Sequence, residues 1–459
     1  MRVTFARFLR RIAVPSLVFF CAAALFPAPA AVRYLSFAEV RETLGLFAGS
    51  GLPGADISSA ATWDRWIRDQ DAQVRRRIDR GTEDSISNLI LYGTSYTSLP
   101  RLENAESTLT PTGELSEPAL ARIRALAEAL RAPSPNERIG FVRAFLKREG
   151  VSPAATEQLL VKHLRRFAEE QQSYQRKLAE AQQSGDVEQR LSARGTLYQA
   201  RGLSVDTSVL VNYGLEDTLR TLMEKGLLAK GAVRRIAVIG PGLDFTNKHS
   251  GYDFYPLQTL QPFAVMEAVL RLKLGRPDDI EVVTMDLNPE VNAHIANLVR
   301  AARAGKAYTM QLPGETSQWT AEATAYWEHL GDIIGVPATP LPAPAALGGV
   351  TVRAVSVAPR FASRVKPLDL NVVAQRVDWE PGKGFDLVVA TNILVYYDRF
   401  EQALAMASIA LMMNPGGIFL ANDALSAHHT QALEFLDRHT VAYALDRSYG
   451  DNVLAYRRK

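Results

Sequence analysis

The chain has 459 residues, 47% of them hydrophobic and 22% charged, with a formal net charge of +3. Its length accommodates two or three domains, and its composition supports ordinary buried cores and excludes a disordered chain. The slight basicity belongs to the first 30 residues: removing them takes away four Arg and no acids, leaving 48 basic against 49 acidic residues, so global charge does not suggest a nucleic-acid-binding surface.

Arg2, Arg7, Arg10 and Arg11 precede an apolar run from Ile12 to Phe26, followed by Ala28-Pro29-Ala30. This is the basic, apolar and small-residue pattern of a secretory signal peptide over residues 1–30. The run is shorter than the roughly 20 residues a spanning helix needs. The expectation is an exported protein, in the cell envelope or secreted, with no stable membrane span after cleavage; an uncleaved N-terminal anchor is the alternative. The only cysteine, Cys21, lies in the apolar run, which excludes a disulfide, thiolate metal site or cysteine nucleophile in the mature chain.

Residues 31–230 read as an all-α domain. Trp63, Trp66, Ile67, Val74 and Ile78 recur at helical spacing, as do Leu120, Ile123, Leu126 and Leu130, and Leu159, Leu160, His163, Leu164 and Phe167. The charged stretch Glu169 to Arg190 reads as a solvated helix face. Within this half, Asn88 to Thr97 passes from an apolar run to Gly93 and several hydroxyls. It is either a loop facing a ligand or the other domain, or a buried segment ending in a satisfied turn. The polar cluster Arg201 to Ser208 reads as an interdomain connection with helix-cap residues.

From Arg234 onward the pattern becomes strands alternating with helices. Arg235 to Gly240, Ile280 to Asp286, Val350 to Val357, Asn371 to Val377, Phe385 to Thr391 and Gly417 to Asn422 are the predicted strands. Alternation of this kind predicts an α/β fold with a mostly parallel sheet over residues 231–459, with insertions at 245–256 and 306–349. At the end, Val441 to Leu445 and Val453 to Tyr456 are separated by so short a turn that they must be antiparallel.

Two positions suggest a nucleotide-like cofactor. Gly240-Pro241-Gly242 directly follows the first strand, where glycines let backbone N–H groups approach a ligand, and Asp286 ends the second, where a carboxylate can accept ribose hydroxyls. Asp286 also reads as a helix N-cap before Pro289. The 46 residues between Gly240 and Asp286 exceed the 20 or so of a dinucleotide fingerprint, and its third glycine is absent, which disfavours a nicotinamide oxidoreductase. The intervening insertion carries His249, Tyr252, Asp253 and Tyr255, candidates for a substrate wall or lid, with His249 and Asp253 a possible proton-transfer pair. The aromatics around Trp319 to Trp327, with Tyr326, read either as a ligand wall or as packing between domains. No G-x-S-x-G elbow or H-E-x-x-H motif occurs, so neither a serine hydrolase nor a catalytic metal site is supported, and His428-His429 reads as an exposed loop pair.

Taken together, Gly240-Pro241-Gly242, Asp286, Phe385 to Asn392, Asn414-Pro415-Gly416-Gly417 and the closing hairpin resemble the class I S-adenosylmethionine-dependent methyltransferases. Asn392 to Asp398 is similar to the corresponding stretch of the chemotaxis-receptor methyltransferases, with Thr391 where Arg is common. The resemblance covers Arg234 to Lys459 and implies a Rossmann-like methyltransferase sheet with S-adenosylmethionine as cofactor. It implies that the Gly240 and Gly242 loop passes the methionine part and that Asp286 holds the ribose. Asp378 would lie near the adenine with Trp379 stacking, and Asn392 would face the methyl-transfer site, with Tyr396 beside it. The family's acidic residue two places before the first glycine is Val238 here, and Asp244 replaces the third small residue and is the candidate for the amino-group contact. Two functional readings result: a methyltransferase acting on an unknown acceptor, or a non-catalytic exported protein using the same fold to bind a partner or another small molecule.

Overall fold

The computed structural model describes residues 31–102, 106–183, 209–246, 252–345, 347–422, 431–445 and 450–459. The predicted signal segment, Arg201 to Ser208, His249 and the His428-His429 pair lie outside them. The first half comprises β1 (Val32–Tyr34), α1 (Phe37–Phe47), α2 (Ala60–Tyr92), α3 (Glu117–Arg131), α4 (Glu137–Arg148), α5 (Thr156–Gln183) and α6 (Leu210–Glu224). Then follow β2 (Arg235–Ile239), α7 (Gln261–Arg271), β3 (Glu281–Asp286), α8 (Pro289–Arg303), β4 (Tyr308–Gly314), α9 (Ala321–His329), β5 (Gly335–Ala338) and β6 (Thr351–Val357). The chain closes with α10 (Pro359–Ala362), β7 (Val365–Asp369), β8 (Gln375–Val377), β9 (Phe385–Ala390), α11 (Arg399–Met412), β10 (Met413–Ala421), β11 (Leu433–Ala442) and β12 (Gly450–Arg458).

Seven strands form the main sheet in the order β11-β12-β10-β9-β2-β3-β7. The five from β10 to β7 are parallel, and β12 and β11 join as an antiparallel hairpin. The chain starts in the middle at β2, winds outward through β3 to β7, then returns to β9 and winds the other way. This is an α/β, Rossmann-like arrangement, and its reversal of direction at β2 opens a crevice at the carboxyl ends of the strands.

Because successive strand residues face opposite sides, the sheet has two cores. Ile236, Val238, Val282, Leu387, Val389 and Leu420 face a cluster that includes Ile123, Phe145, Leu164, Leu219, Phe263 and Ile295. Ala237, Ile239, Val283, Met285, Val388 and Phe419 face another, with Val40, Trp63, Ile67, Phe400 and Leu404. The helices of the first half therefore cover both faces of the sheet. Their segment is not purely helical either, since β1 pairs antiparallel with β8.

Helix α2 reaches both cores: Trp63, Ile67, Val74 and Ile78 belong to one, and Ile86, Leu89, Ile90 and Leu91 to the other. At 33 residues it is about 50 Å long at 1.5 Å per residue, enough to run past an entire sheet edge.

Two predicted strands change place. Thr351–Val357 does not join the parallel sheet; it is the centre of a three-stranded antiparallel sheet with β4 and β5, inside the insertion. Asn371 to Ala374 is a turn, because Asn371 Oδ1 accepts the Val373 N–H at 3.1 Å and Gln375 Oε1 accepts the Asn371 N–H at 3.0 Å. Only Gln375–Val377 is extended. The outer parallel strand is instead β7, whose Pro367 is tolerated because β7 is an edge with one paired side. The Pro415-Gly416-Gly417 segment is an irregularity within β10: the register shifts between Met413 and Ile418, and Gly416 has φ of 80°.

An ion network fastens β1 and α1 to β8. Glu39 pairs with Arg33 at 2.6 Å and Arg376 at 2.7 Å, and those arginines also reach Asp378 at 3.3 and 3.0 Å. Burial is the largest single influence on Glu39 and pushes its pKa up, but hydrogen bonds from Arg33, Ser36 and Arg376 together hold it down at about 2. Since the folded value lies below the ordinary 4.5, the stabilisation is present above about pH 4.5 and disappears as pH falls toward 2. Glu39→Gln is expected to lower unfolding free energy at pH 7 by about 1–3 kcal/mol, with the gap to wild type closing between those pH values in urea titrations.

Candidate functional site

The crevice at the carboxyl edge begins at Gly240, whose N–H donates to Met285 O at 2.8 Å. Gly240 and Gly242 have φ of 65° and 63°, a region where a Cβ is penalised. A Cβ on Gly240 would also stand 2.1 Å from Ile393 Cδ1, so the glycine lets the loop after β9 close over the loop after β2. Pro241 lies between the two glycines and fixes the turn.

Asp286 stands beside this loop at the tip of β3 and accepts backbone N–H groups of Asn288, Gly242 and Leu287. The helix cap expected of it is supplied by Asn288, whose side chain accepts the Glu290 N–H. Burial dominates Asp286 and lifts its pKa to about 6, against the three backbone donors and with the neighbouring Asp369 charge adding to the rise. A carboxylate held at a loss in this way, by backbone donors, is suited to a ligand that brings hydroxyls or a cation.

Asp369 is the residue that sequence reasoning missed. It ends β7 in register with Asp286 and is 60% exposed at its side chain. Arg75 of α2 reaches it at 2.8 Å, and also Asp71 at 3.0 Å. Asn371 Nδ2 donates to Asp71 at 2.8 Å, so α2 and the loop after β7 are tied together across this edge. Farther along the edge, Gln70 donates to Glu401 at the start of α11, and Arg77 donates to Tyr396 O at 2.5 Å. The Arg77 guanidinium lies 5.8 Å from the centre of the Tyr397 ring. Tyr397 is buried, and burial drives its phenol pKa far upward, with Glu401 and Asp286 contributing. Tyr396 is buried in the 3₁₀ turn after β9, so its backbone carbonyl rather than its ring takes part in this contact.

Asn392 is exposed at the tip of β9 with φ of 56°, a conformation Asn tolerates better than other non-glycine residues. It is fixed by a reciprocal pair: its N–H donates to Asn422 Oδ1 at 2.7 Å, and Asn422 Nδ2 donates to Asn392 Oδ1 at 2.9 Å. Gly240, Gly242, Asp286, Asp369 and Asn392 thus share one edge.

Asp378 and Trp379 do not join them. Val377 contacts Met412 at the end of α11, and Trp379 packs edge-on to Phe385 at 5.4 Å with Arg235 over its face at 4.6 Å. Arg235 and Phe385 begin their strands, so Asp378 and Trp379 sit at the amino end of the sheet, opposite the glycine loop. The strand tip beside Asp286 is occupied by Asp369 instead.

Asp244, Asp253, Tyr252 and Tyr255 are occupied by the fold. Asp244 is buried and accepts Tyr255 Oη at 2.8 Å and Gln258 Nε2 at 3.0 Å, which directs it away from the crevice. Asp253 is 1% exposed and accepts four donors, the backbone N–H and hydroxyl groups of both Thr94 and Ser95, at 2.6 to 3.0 Å. A Cβ on Gly93 would lie 2.9 Å from Asp253 Oδ2, so that glycine admits the carboxylate. The Gly93 to Ser95 segment therefore faces the other half of the chain, and Asp253 has no lone pair left over for proton transfer. Tyr252 donates to Glu315 at 2.6 Å.

Arg138 of α4 completes this clamp. It is 2% exposed and donates to three backbone carbonyls, those of Phe245, Tyr255 and Asp244, the last at 2.9 Å. One side chain thus grips both ends of the loop that leaves the glycine turn.

No family model matches the chain, and no curated protein matches it. Among solved structures it is similar to the N-methyltransferase NodS from Bradyrhizobium japonicum in complex with S-adenosyl-L-homocysteine, at 14% identity, covering 59% of this chain and 97% of that one, with a TM-score of 0.27. It is also similar to the CcbJ methyltransferase from Streptomyces caelestis, at 12% identity over 55% of this chain and 97% of that one, with a TM-score of 0.26. A third is magnesium protoporphyrin IX methyltransferase from Synechocystis with bound SAM, at 9% identity over 58% and 90%, with a TM-score of 0.22. With such low scores, what bears on function is this chain's own strand order and edge residues.

Two outcomes test the geometry. Arg138→Met should cost at least about 3 kcal/mol in denaturant unfolding, because three buried carbonyls lose their donor. For Asp286 the sign is reversed: the folded pKa is raised, so the wild-type carboxylate destabilises the fold increasingly as pH rises from about 4 through 6. Asp286→Asn should therefore be more stable than wild type by about 1–2 kcal/mol at pH 8 and indistinguishable from it near pH 4.

Proposed function

We propose that the carboxyl-edge crevice binds S-adenosylmethionine and that the protein transfers its methyl group to an acceptor. The observation that carries this is the placement of an under-compensated carboxylate, Asp286, against the Gly242 N–H of a positive-φ glycine turn at the reversal point of the sheet. The adenosine half of the cofactor fits what is there. Asp286 would accept the ribose hydroxyls, and Asp369 at the adjacent strand tip would accept the adenine amine. Gly240 and Gly242 give a backbone surface without side chains, and Asn392 bounds the crevice on the β9 side. When bound, S-adenosylmethionine supplies an electrophilic methyl group on a sulfonium. The chain's part is then orientation and exclusion of water, and methyl transfer needs little more than in-line approach of the nucleophile.

The export reading belongs to the same proposal, supported by the basic and then apolar start of the chain. A second reading, a non-catalytic protein that binds a partner or another small molecule in this crevice, is favoured by one feature: Val238 is fully buried and Asp244 is turned inward, so the loop offers no carboxylate to the cofactor's amino group.

Calorimetric titration with S-adenosylmethionine and S-adenosylhomocysteine separates these readings. Saturable binding is expected, weakened at least tenfold in a folded Asp286→Ala variant, a loss of about 1.4 kcal/mol. Because the carboxylate is the accepting form, affinity in wild type should decline as pH falls below about 6 and stay flat in Asp286→Asn. Absence of binding by folded protein overturns the cofactor assignment.

A further inference from the structure

The amino end of the sheet, opposite the crevice, gathers positive charge. In a parallel sheet each crossover helix runs back to the end where its strand began, so α7 and α8 finish on this face, beside the starts of β2, β7 and β9. Lys230 and Arg234 precede β2, Lys273 follows α7, Arg303 ends α8 with Lys306 just beyond, and Lys383 precedes β9. Contacts join these segments into one surface: Gly231 N–H donates to Lys273 O at 3.0 Å, and Arg235 donates to Lys383 O. Lys273 has φ of 57° just past the end of α7, a place where glycine is the usual residue, and a lysine is kept there.

Most acids of this face are already engaged. Asp279 pairs with Arg276 at 2.7 Å and with Arg234 at 3.8 Å, and Glu281 pairs with Lys366 at 2.9 Å and with Arg235 at 3.7 Å. Asp386 accepts the backbone N–H groups of Arg234 and Arg235. Asp278 and Glu380 are the exposed acids of the same loops. Against them, Lys230, Lys273, Arg303, Lys306 and Lys383 are all exposed and make no ion pair among the described residues, so cations are in excess.

The described chain also enters the fold here. Ala31 O accepts the Asp378 N–H at 3.0 Å and Val32 pairs with Val377, close to Trp379, over whose ring Arg235 lies. No charged residue occurs between Arg11 and Arg33. The apolar run ends at Phe26, so five residue steps separate it from Ala31, a reach of at most about 18 Å when fully extended.

We propose that the exported chain keeps residues 1–30 as a membrane anchor and that the amino-end face docks on an anionic lipid bilayer, with the crevice directed away from it. The apolar run is short for a spanning helix, and secure attachment takes a second signal, which a basic patch supplies. The short tether brings the lysines to the headgroups, where their attraction acts over about 10 Å at 0.1 M salt. This docking is independent of what the crevice binds.

The full chain is mixed with vesicles of phosphatidylcholine or of phosphatidylglycerol, its lysines are acetylated, and labelling at each site is read by mass spectrometry. On phosphatidylglycerol, labelling of Lys230, Lys273, Lys306 and Lys383 is expected to fall at least about fivefold and to recover in high salt. Lys147 and Lys162, on α4 and α5, should be unaffected. Phosphatidylcholine, which the apolar run can enter but which carries no net charge, should protect none of them. A variant combining Lys230→Glu, Lys273→Glu and Lys383→Glu should still sediment with both vesicles but lose the protection of Lys306. Equal labelling of the face with and without phosphatidylglycerol, equal protection by the two lipids, or equal protection of Lys147 and Lys162 overturns the docking surface. Protection by a DNA duplex but not by vesicles overturns it too and marks the face as a nucleic-acid surface. Intact mass of the chain recovered from membranes of an exporting host should match all 459 residues; loss of the first 30 overturns the anchor.

Discussion

Most of the architecture depends on one helix passing the carboxyl edge of the sheet. A parallel sheet must be covered on both faces, and α2 contributes to both covers while its middle lies across the edge. Its exposed face would ordinarily be spent on solvent. Here Gln70, Asp71, Arg75 and Arg77 reach Glu401, Asn371, Asp369 and the Tyr396 carbonyl, so the segments after β7 and β9 are fixed to the same rigid rod. The functional edge and the helical half are consequently one physical object.

On the other side of the crevice the same task is done by buried charge. Arg138 and Asp253 are nearly inaccessible, and each is satisfied by the partner chain segment it crosses to: three carbonyls for the guanidinium, four donors for the carboxylate. Burying an ion is tolerable only when its hydrogen-bonding capacity is met, and breaking such an arrangement is far more costly than never having built it. The segment after the glycine turn is thereby held in place by α4 and by the end of α2. Asp286 is the contrast. It is half-buried, with no ion pair to it among the described residues, and its raised pKa marks a place at this edge where the fold leaves a charge for something else to meet.

The strands that border the crevice centrally were legible because their residues are β-branched and apolar on both faces, as in Ile236 to Ile239 and Phe385 to Ala390. The edge strand β7 was not, since Lys366 and Pro367 break the apolar run and only its position at the sheet margin makes them acceptable. Without it the sequence points to Asp378, which lies at the amino end of the sheet, whereas Asp369 stands beside Asp286 at the carboxyl edge. The tyrosines and carboxylates of the insertion were read as a substrate wall for a similar reason: sequence shows that Asp253 is ionisable but not that Thr94 and Ser95, about 160 residues earlier, already occupy it.

By itself the sequence determined the alternation of strand and helix, the glycine turn at residues 240–242, the acid at the tip of the second strand and the antiparallel close, because these follow from local backbone preference and from periodicity within a few residues. Tertiary structure decided which side chains of that edge are free. Asp244, Asp253 and Tyr255 carry chemistry as good as that of Asp286 in isolation. What separates them is what meets them: Tyr255 and Gln258 donate to Asp244, and Thr94 and Ser95 to Asp253, while Asp286 accepts backbone N–H groups and has its pKa raised by burial.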